Sequence, residues 1–80
     1  MQNRQDLRKP IVEALRAHGG TASLVHVCKY IWERYEEDLR RSGDLLYTWQ
    51  YEVRHAASLL RQEGVLKQAT DSPRGVWELA

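Results

Sequence analysis

The last and longest helix of the chain is predicted by the spacing of its apolar residues. When each residue advances by about 100° around a helix axis, five apolar side chains of the segment fall within about 60° of Trp49, so that six share one stripe. They are Leu45, Leu46, Trp49, Val53, Ala56 and Leu60. Gly64 follows where a left-handed glycine commonly ends a helix. The pattern therefore predicts an amphipathic helix from Leu45 to the stop at Gly64.

A first helix is predicted over residues 7–18. Leu7, Ile11, Ala14 and Leu15 lie on one face at helical spacing, and Gly19-Gly20 ends the segment. Pro10 fits the first turn, where its missing N–H costs nothing. A start near Asn3 would instead require a kink at Pro10.

A second helix is predicted to begin after Ser23, which is suited to cap its N-terminus. The apolar positions of this helix recur at i, i+3, i+4, i+7 and i+11, as Leu24, Val27, Cys28, Ile31 and Tyr35. Residues 40–44 supply a turn, and either Asp44 or Thr48 is a candidate cap for the third helix.

Two β-prone runs close the chain, residues 65–69 and 76–79, and turn-forming residues separate them. Three helices followed by a β-hairpin is the element order of a winged helix-turn-helix, a mainly α member of the α+β class. Thr21–Ser23 is a candidate third strand of its sheet. One core is expected, made of Leu15, Val27, Ile31, Trp49, Val53, Ala56, Leu60, Leu66, Val76 and Trp77.

The sequence resembles the N-terminal winged-helix domain of Mrr-type restriction endonucleases and related nuclease-associated modules. The similarity rests on Leu15 with Gly19-Gly20, on Val53, Ala56, Leu60, Gly64 and Val65-Leu66, and above all on the closing run Ser72-Pro73-Arg74-Gly75-Val76-Trp77-Glu78-Leu79. Glu52 stands where the family often has a basic residue, and His55 where it often has Trp. The resemblance implies a DNA-recognition module of a restriction-like or other DNA-processing protein. It also suggests a modified-DNA context and an attached or separate nuclease or effector domain.

Length and charge limit the function classes. Eighty residues form one small domain, with residues 1–6 expected to be a flexible end. Twelve basic and eleven acidic residues give a net charge of only +1. Many DNA-binding domains are far more basic, so any DNA affinity must come from the local placement of charge.

The chemistry-bearing residues do not predict an enzyme. Cys28 is the single cysteine and is expected to be a small buried hydrophobe in a cytoplasmic protein. His18, His26 and His55 do not form a metal-binding spacing. No phosphate-binding loop, nucleophile motif or membrane span is apparent, and no cofactor is expected.

The exposed face of the third helix supplies the candidate DNA contacts. Glutamine bonds adenine well, arginine bonds guanine, and tyrosine hydroxyls suit phosphates. The candidates on the helix are Tyr47, Thr48, Gln50, Tyr51, Arg54, Ser58 and Arg61. Those on the closing β-hairpin, which is called the wing, are Lys67 and Arg74. Glu52 adds a negative charge near this face. The leading hypothesis is a non-enzymatic module that binds double-stranded DNA, with a homodimer left open.

Three alternatives remain at this level. The helix face is also typical of an ordinary solvated surface, and Arg74 could equally be a solvated turn residue. A protein-interaction winged helix would use Trp32 and the acidic residues of the second helix, Glu33, Glu36, Glu37 and Asp38. Those acids are expected to point away from any DNA. A DNA-binding regulator of transcription is the third alternative.

Overall fold

The computed structural model describes all residues, Met1–Ala80, as three helices and a small antiparallel sheet. The elements in chain order are α1 (Arg8–Ala17), β1 (Thr21–Ser23), α2 (Leu24–Arg40), α3 (Leu45–Gln62) and β2 (Val76–Glu78). Short 3-10 helices at Arg4–Leu7 and Ala69–Asp71 precede α1 and β2. This mainly helical α+β fold is compatible with the predicted winged helix.

Residues 1–6, for which a flexible end is predicted, carry capping hydrogen bonds in the structure, and their flexibility stays a prediction. The Asn3 side chain accepts a hydrogen bond from the backbone N–H of Gln5 (2.9 Å), and the Asp6 carboxylate accepts one from the N–H of Asn3 (3.4 Å). This reciprocal capping satisfies N–H groups that have no partner within the helix. Leu7 and Pro10 are buried, and Pro10 lies in the first turn of α1 as predicted.

Side-chain capping was predicted correctly for α2 but not for α3. The Ser23 hydroxyl accepts a hydrogen bond from the N–H of His26 (3.4 Å), which confirms Ser23 as the cap of α2. Asp44 precedes α3, yet its side chain makes no capping hydrogen bond. The Thr48 hydroxyl donates to the Asp44 carbonyl (3.4 Å) and does not cap either. The Asp44 backbone has helical angles (φ −63°, ψ −24°) and not the extended conformation that is usual for a cap residue, which explains why its carboxylate makes no bond to the first N–H groups of α3.

The sheet pairs β1 with β2, so the candidate third strand is the main partner of the wing. Ala22 lies opposite Trp77 in this antiparallel pair. The predicted hairpin has less strand pairing than expected. The run 65–69 pairs with the closing run through a single bridge, between Leu66 and Leu79. Beyond it the Gln68 side chain donates to the Arg61 carbonyl (3.0 Å), which holds the chain toward α3 and away from β2.

A single core of buried side chains joins the helices to the sheet. All predicted core residues belong to it except Val76, which is only half-buried. Val76 precedes Trp77 in β2, and successive strand residues point to opposite faces. Because Trp77 faces the core, the inclusion of Val76 in the same core was wrong.

Candidate nucleic-acid interface

The exposed face of α3 begins with two tyrosines one helical turn apart. Tyr47 is 84% exposed and Tyr51 is 63% exposed. The Tyr51 ring packs edge-on against His55, with ring centroids 4.5 Å apart. The structure therefore presents an aromatic row to solvent along this helix.

Polar side chains complete this face. The remaining predicted contact residues that are exposed on α3 are Thr48, Gln50, Arg54 and Ser58. Arg54 takes part in none of the five salt bridges of the chain, so its guanidinium is available to a ligand. The structure brings these residues together on one surface, and their contacts with DNA stay a prediction.

Trp49 is directed to the core, as predicted, and holds α3 against α2. It is only 6% exposed, and its ring stacks on Trp32 with centroids 6.0 Å apart and planes inclined by 11°. The guanidinium of Arg40 lies over the Trp32 ring, 5.4 Å from its centroid. Stacking of this kind stabilises an aromatic pair beyond its burial. The packing of Trp49 fixes the rotation of α3 about its axis, and in this orientation Tyr47 and Tyr51 face the solvent.

An open groove of about 860 Å³ runs between the first halves of α2 and α3. Its wall on α2 consists of Leu24, Val25, Cys28, Lys29, Trp32 and Glu33. Its wall on α3 consists of Leu46, Trp49, Gln50, Tyr51 and Arg54. The groove therefore shares three residues with the predicted DNA-contact face.

The floor of this groove is partly shielded from water. Burial raises the pKa of the Cys28 thiol above its ordinary value, and the nearby Arg54 guanidinium opposes this with a smaller lowering effect. At neutral pH Cys28 is therefore a protonated thiol in a half-buried position, as expected of a small hydrophobe. Arg54 acts on this pKa because its positive charge lies close to the groove that Cys28 also lines.

Arg61 does not join the exposed face of α3. It is half-buried, and its guanidinium lies 5.8 Å from the centroid of the Trp77 ring. Because this side chain covers a core residue, a packing role is better supported by its position than the predicted DNA contact.

The two wing candidates differ in their surroundings. The Lys67 ammonium lies 3.3 Å from a carboxylate oxygen of Glu78 and forms a salt bridge with it. Arg74 is exposed in the turn before β2 and has no carboxylate partner. Gly75 beside it has φ of 77°, a left-handed conformation that favours glycine. Arg74 is thus the freer cation of the wing.

Glu52 is turned away from the exposed tyrosines and pairs with the N-terminal segment. Its carboxylate accepts two hydrogen bonds from the guanidinium of Arg4, at 2.9 and 3.3 Å. The Glu52 side chain is only 15% exposed. The negative charge expected near the contact face is therefore neutralised at another side of α3.

Two acidic residues of α2 are neutralised by arginines at the C-terminal end of that helix. Glu36 pairs with Arg40 (2.8 Å), and Asp38 pairs with Arg41 (3.2 Å). Glu33, in contrast, lines the groove between α2 and α3. The expectation that all four acids lie away from the contact face therefore does not hold for Glu33.

Sequence reasoning missed the contribution of α2 to this surface. Val25 is 66% exposed at the groove, and Lys29 lies one helical turn further along the same wall. Their i, i+4 spacing was a visible signal that they share a face. Only the packing of α2 on α3 shows that this face adjoins Gln50 and Arg54.

The histidines do not build a metal site. His18 and His26 stack with ring centroids 5.7 Å apart, while His55 contacts Tyr51. No group of three or more His, Cys, Asp or Glu side chains is placed to hold a metal ion.

Comparison with known proteins gave no match: no family model matches the chain, and neither a curated protein nor a solved structure was found to be significantly similar to it. None of the helices combines the length and the apolar character needed to cross a membrane.

Proposed function

We propose that the chain is a non-enzymatic winged-helix module that binds double-stranded DNA through α3. The observation that carries this proposal is the charge of that helix. Glu52 is the only acidic residue within Leu45–Gln62, and Arg4 neutralises it away from the exposed face. On α3 the face itself offers the free cation Arg54 and no carboxylate, while Glu33 lies on the α2 wall of the adjoining groove. Local positive charge supports DNA binding even when the net charge of the chain is near zero.

The arrangement suits insertion of α3 into a major groove. In helix-turn-helix proteins the first residues of the recognition helix contact base edges, while neighbouring elements contact phosphates. Gln50 and Arg54 carry the side chains that bond adenine and guanine edges, and the hydroxyls of Tyr47 and Tyr51 suit phosphate oxygens. Arg74 would contact the backbone from the wing.

The resemblance to the winged-helix domain of Mrr-type restriction endonucleases supports the finer part of the proposal. On that basis the module would recognise DNA on behalf of a restriction-like or other DNA-processing protein, with a nuclease or effector domain attached or separate. Modified DNA is the target class that this resemblance suggests. A role in transcriptional regulation would use the same contacts.

A salt series of duplex titrations tests the proposal. Each phosphate contact releases counterions, so log affinity should fall linearly with log salt, with a slope of about −0.9 per contact. Because only charged side chains neutralise phosphates, two such contacts by Arg54 and Arg74 predict a slope of about −2. Absence of binding at low salt, or a flat response, would instead favour the protein-interaction alternative.

A protein-interaction function has one observation in its favour. The groove between α2 and α3 is mainly apolar, and Val25 stands exposed beside it. Trp32, which that alternative invoked as a docking residue, is instead half-buried between Trp49 and Arg40. The DNA proposal, by contrast, uses the exposed side chains of Gln50, Arg54 and Arg74.

A further inference from the structure

The exposed aromatic rings of α3 are not explained by contacts with a paired duplex. A duplex offers base edges and phosphates, while the faces of its bases are stacked on one another. Tyr47 and Tyr51 would use only their hydroxyls on such a ligand. The rings of these two residues, which are more than half exposed, would gain no apolar contact from the duplex.

The groove beside Tyr51 has the dimensions and the lining of a small-ligand site. Its volume of about 860 Å³ lies within the range of about 300–1,000 Å³ that is typical of such sites. Its apolar lining includes Leu24, Val25 and Leu46. A flat apolar ring would find there both burial and an exposed aromatic neighbour.

The polar groups of the groove favour a ligand that also carries a negative charge. Lys29 and Arg54 supply two cations against the single carboxylate of Glu33. Neither cation is held in a salt bridge. The amide of Gln50 adds a donor and an acceptor suited to the edge of a nucleobase.

We propose that the groove between α2 and α3 binds one unpaired nucleotide. Its base would lie against the apolar lining beside Tyr51, with its phosphate held by Lys29 and Arg54. Where the nucleotide belongs to a DNA strand, this inference rests on the proposed DNA-binding function. The same chemistry is shared by a free mononucleotide. An unpaired base enters such a groove at lower cost than a paired one, since no base pair must be broken.

The test compares three ligands. They are a fully paired duplex, the same duplex with one unpaired central thymidine, and thymidine monophosphate alone. Fluorescence anisotropy follows the two duplexes, and tryptophan emission follows the mononucleotide through Trp32 and Trp49. Stacking of one base predicts that the bulged duplex binds about tenfold or more tighter than the paired one.

Two tyrosine variants test whether a preference for the bulged duplex arises in the groove. Tyr51→Ala should abolish the preference for the bulged duplex, because Tyr51 lines the groove. Tyr47→Ala is the matched control, since Tyr47 lies one turn earlier on the same face and outside the groove. It should keep the ratio of the two affinities, whatever it costs in overall affinity. Val25→Gln should lower the ratio as well, and its exposed position allows the variant to fold.

The outcomes separate this inference from the proposed function. Equal affinities for the two duplexes, or a preference that survives both Tyr51→Ala and Val25→Gln, overturn the inference and leave duplex binding intact. Saturable binding of thymidine monophosphate without binding of either duplex supports the groove as a site for free nucleotide and refutes the DNA-binding function. A preference for the bulged duplex that requires Tyr51 but not Tyr47 supports a nucleotide within a strand.

Discussion

Arg4 and Glu52 form a two-point ion pair between the N-terminal 3-10 helix and the middle of α3, although they are 48 residues apart in the chain. The pair fastens the first residues of the chain to the helix that carries the candidate site. It also leaves the exposed face of that helix without a negative charge. Stability and ligand binding are therefore expected to depend on the same contact.

Loss of Arg4 tests this double role. Arg4→Ala leaves the largely buried carboxylate of Glu52 without a partner and should lower the free energy of unfolding by about 1–3 kcal/mol. The unpaired charge should also weaken duplex binding. Urea denaturation and anisotropy measure the two effects. In the double variant Arg4→Ala/Glu52→Gln, much of both losses should be recovered, and an unchanged loss would show that the ion pair is not the cause.

Arg54 is expected to be the residue whose loss most reduces DNA binding. Arg54→Ala should cost about 1–3 kcal/mol if the guanidinium reads a base, with relaxed preference at that position. If it contacts only a phosphate, all duplexes should lose affinity similarly and the salt slope should drop by about one. The thermal midpoint should barely move, because an exposed arginine without a salt bridge contributes little to folding.

Arg16→Ala is the matched control for Arg54, since Arg16 is an exposed arginine of α1 without a salt bridge. It should leave DNA binding nearly unchanged. If Arg54→Ala binds every duplex as well as the parent while Arg74→Ala does not, then the wing and not α3 is the main contact.

Leu60 and its neighbour Leu59 offer a matched pair for the core. Leu60 is 3% exposed and fully within the core, whereas Leu59 is half-buried and outside it. Leu60→Ala should lower the free energy of unfolding by about 2–5 kcal/mol, because it removes buried methyl groups and leaves a cavity. Leu59→Ala should cost clearly less. Chemical denaturation measures both losses of stability. Similar losses at the two positions would contradict the orientation of α3 in which Leu60 faces the core and Leu59 does not.

Tyr35 predicts a pH dependence of stability at alkaline pH. Its hydroxyl donates a hydrogen bond to the Glu13 carboxylate (2.5 Å), and this bond, with smaller effects of burial and charge, raises the pKa of Tyr35 from 10.0 to about 12. The folded state thus retains a proton that the unfolded state has lost. The contribution of Tyr35 is therefore fully present below pH 10 and is lost as the pH rises toward about 12.

Tyr35→Phe checks this assignment, because phenylalanine cannot ionise. Between about pH 10 and 12 the parent should lose stability more steeply than the variant. Absorbance of phenolate should also show one late-titrating tyrosine that is missing from Tyr35→Phe. If the two proteins show the same pH dependence over this interval, the hydrogen bond to Glu13 does not persist in solution.

Much of the fold was decided by local patterns in the sequence. The apolar stripes identify the buried faces of the three helices, and they place Trp49 in the core and Tyr47 and Tyr51 outside it. Ser23 as a cap, Pro10 in a first turn and the chain reversals at glycines are also local. These features depend on a few neighbouring residues, so helical and strand periodicity is sufficient to predict them.

Only the tertiary structure decided which of these faces meet. The ion pair of Arg4 with Glu52, the stacking of Trp32 on Trp49 and the position of Arg61 over Trp77 join residues from different elements. Periodicity assigns a side chain to a face of its own element but does not say what packs against that face. The groove between α2 and α3 likewise depends on how two elements pack together. Each of its walls is visible in the sequence, and their juxtaposition follows from the packing of one helix on the other.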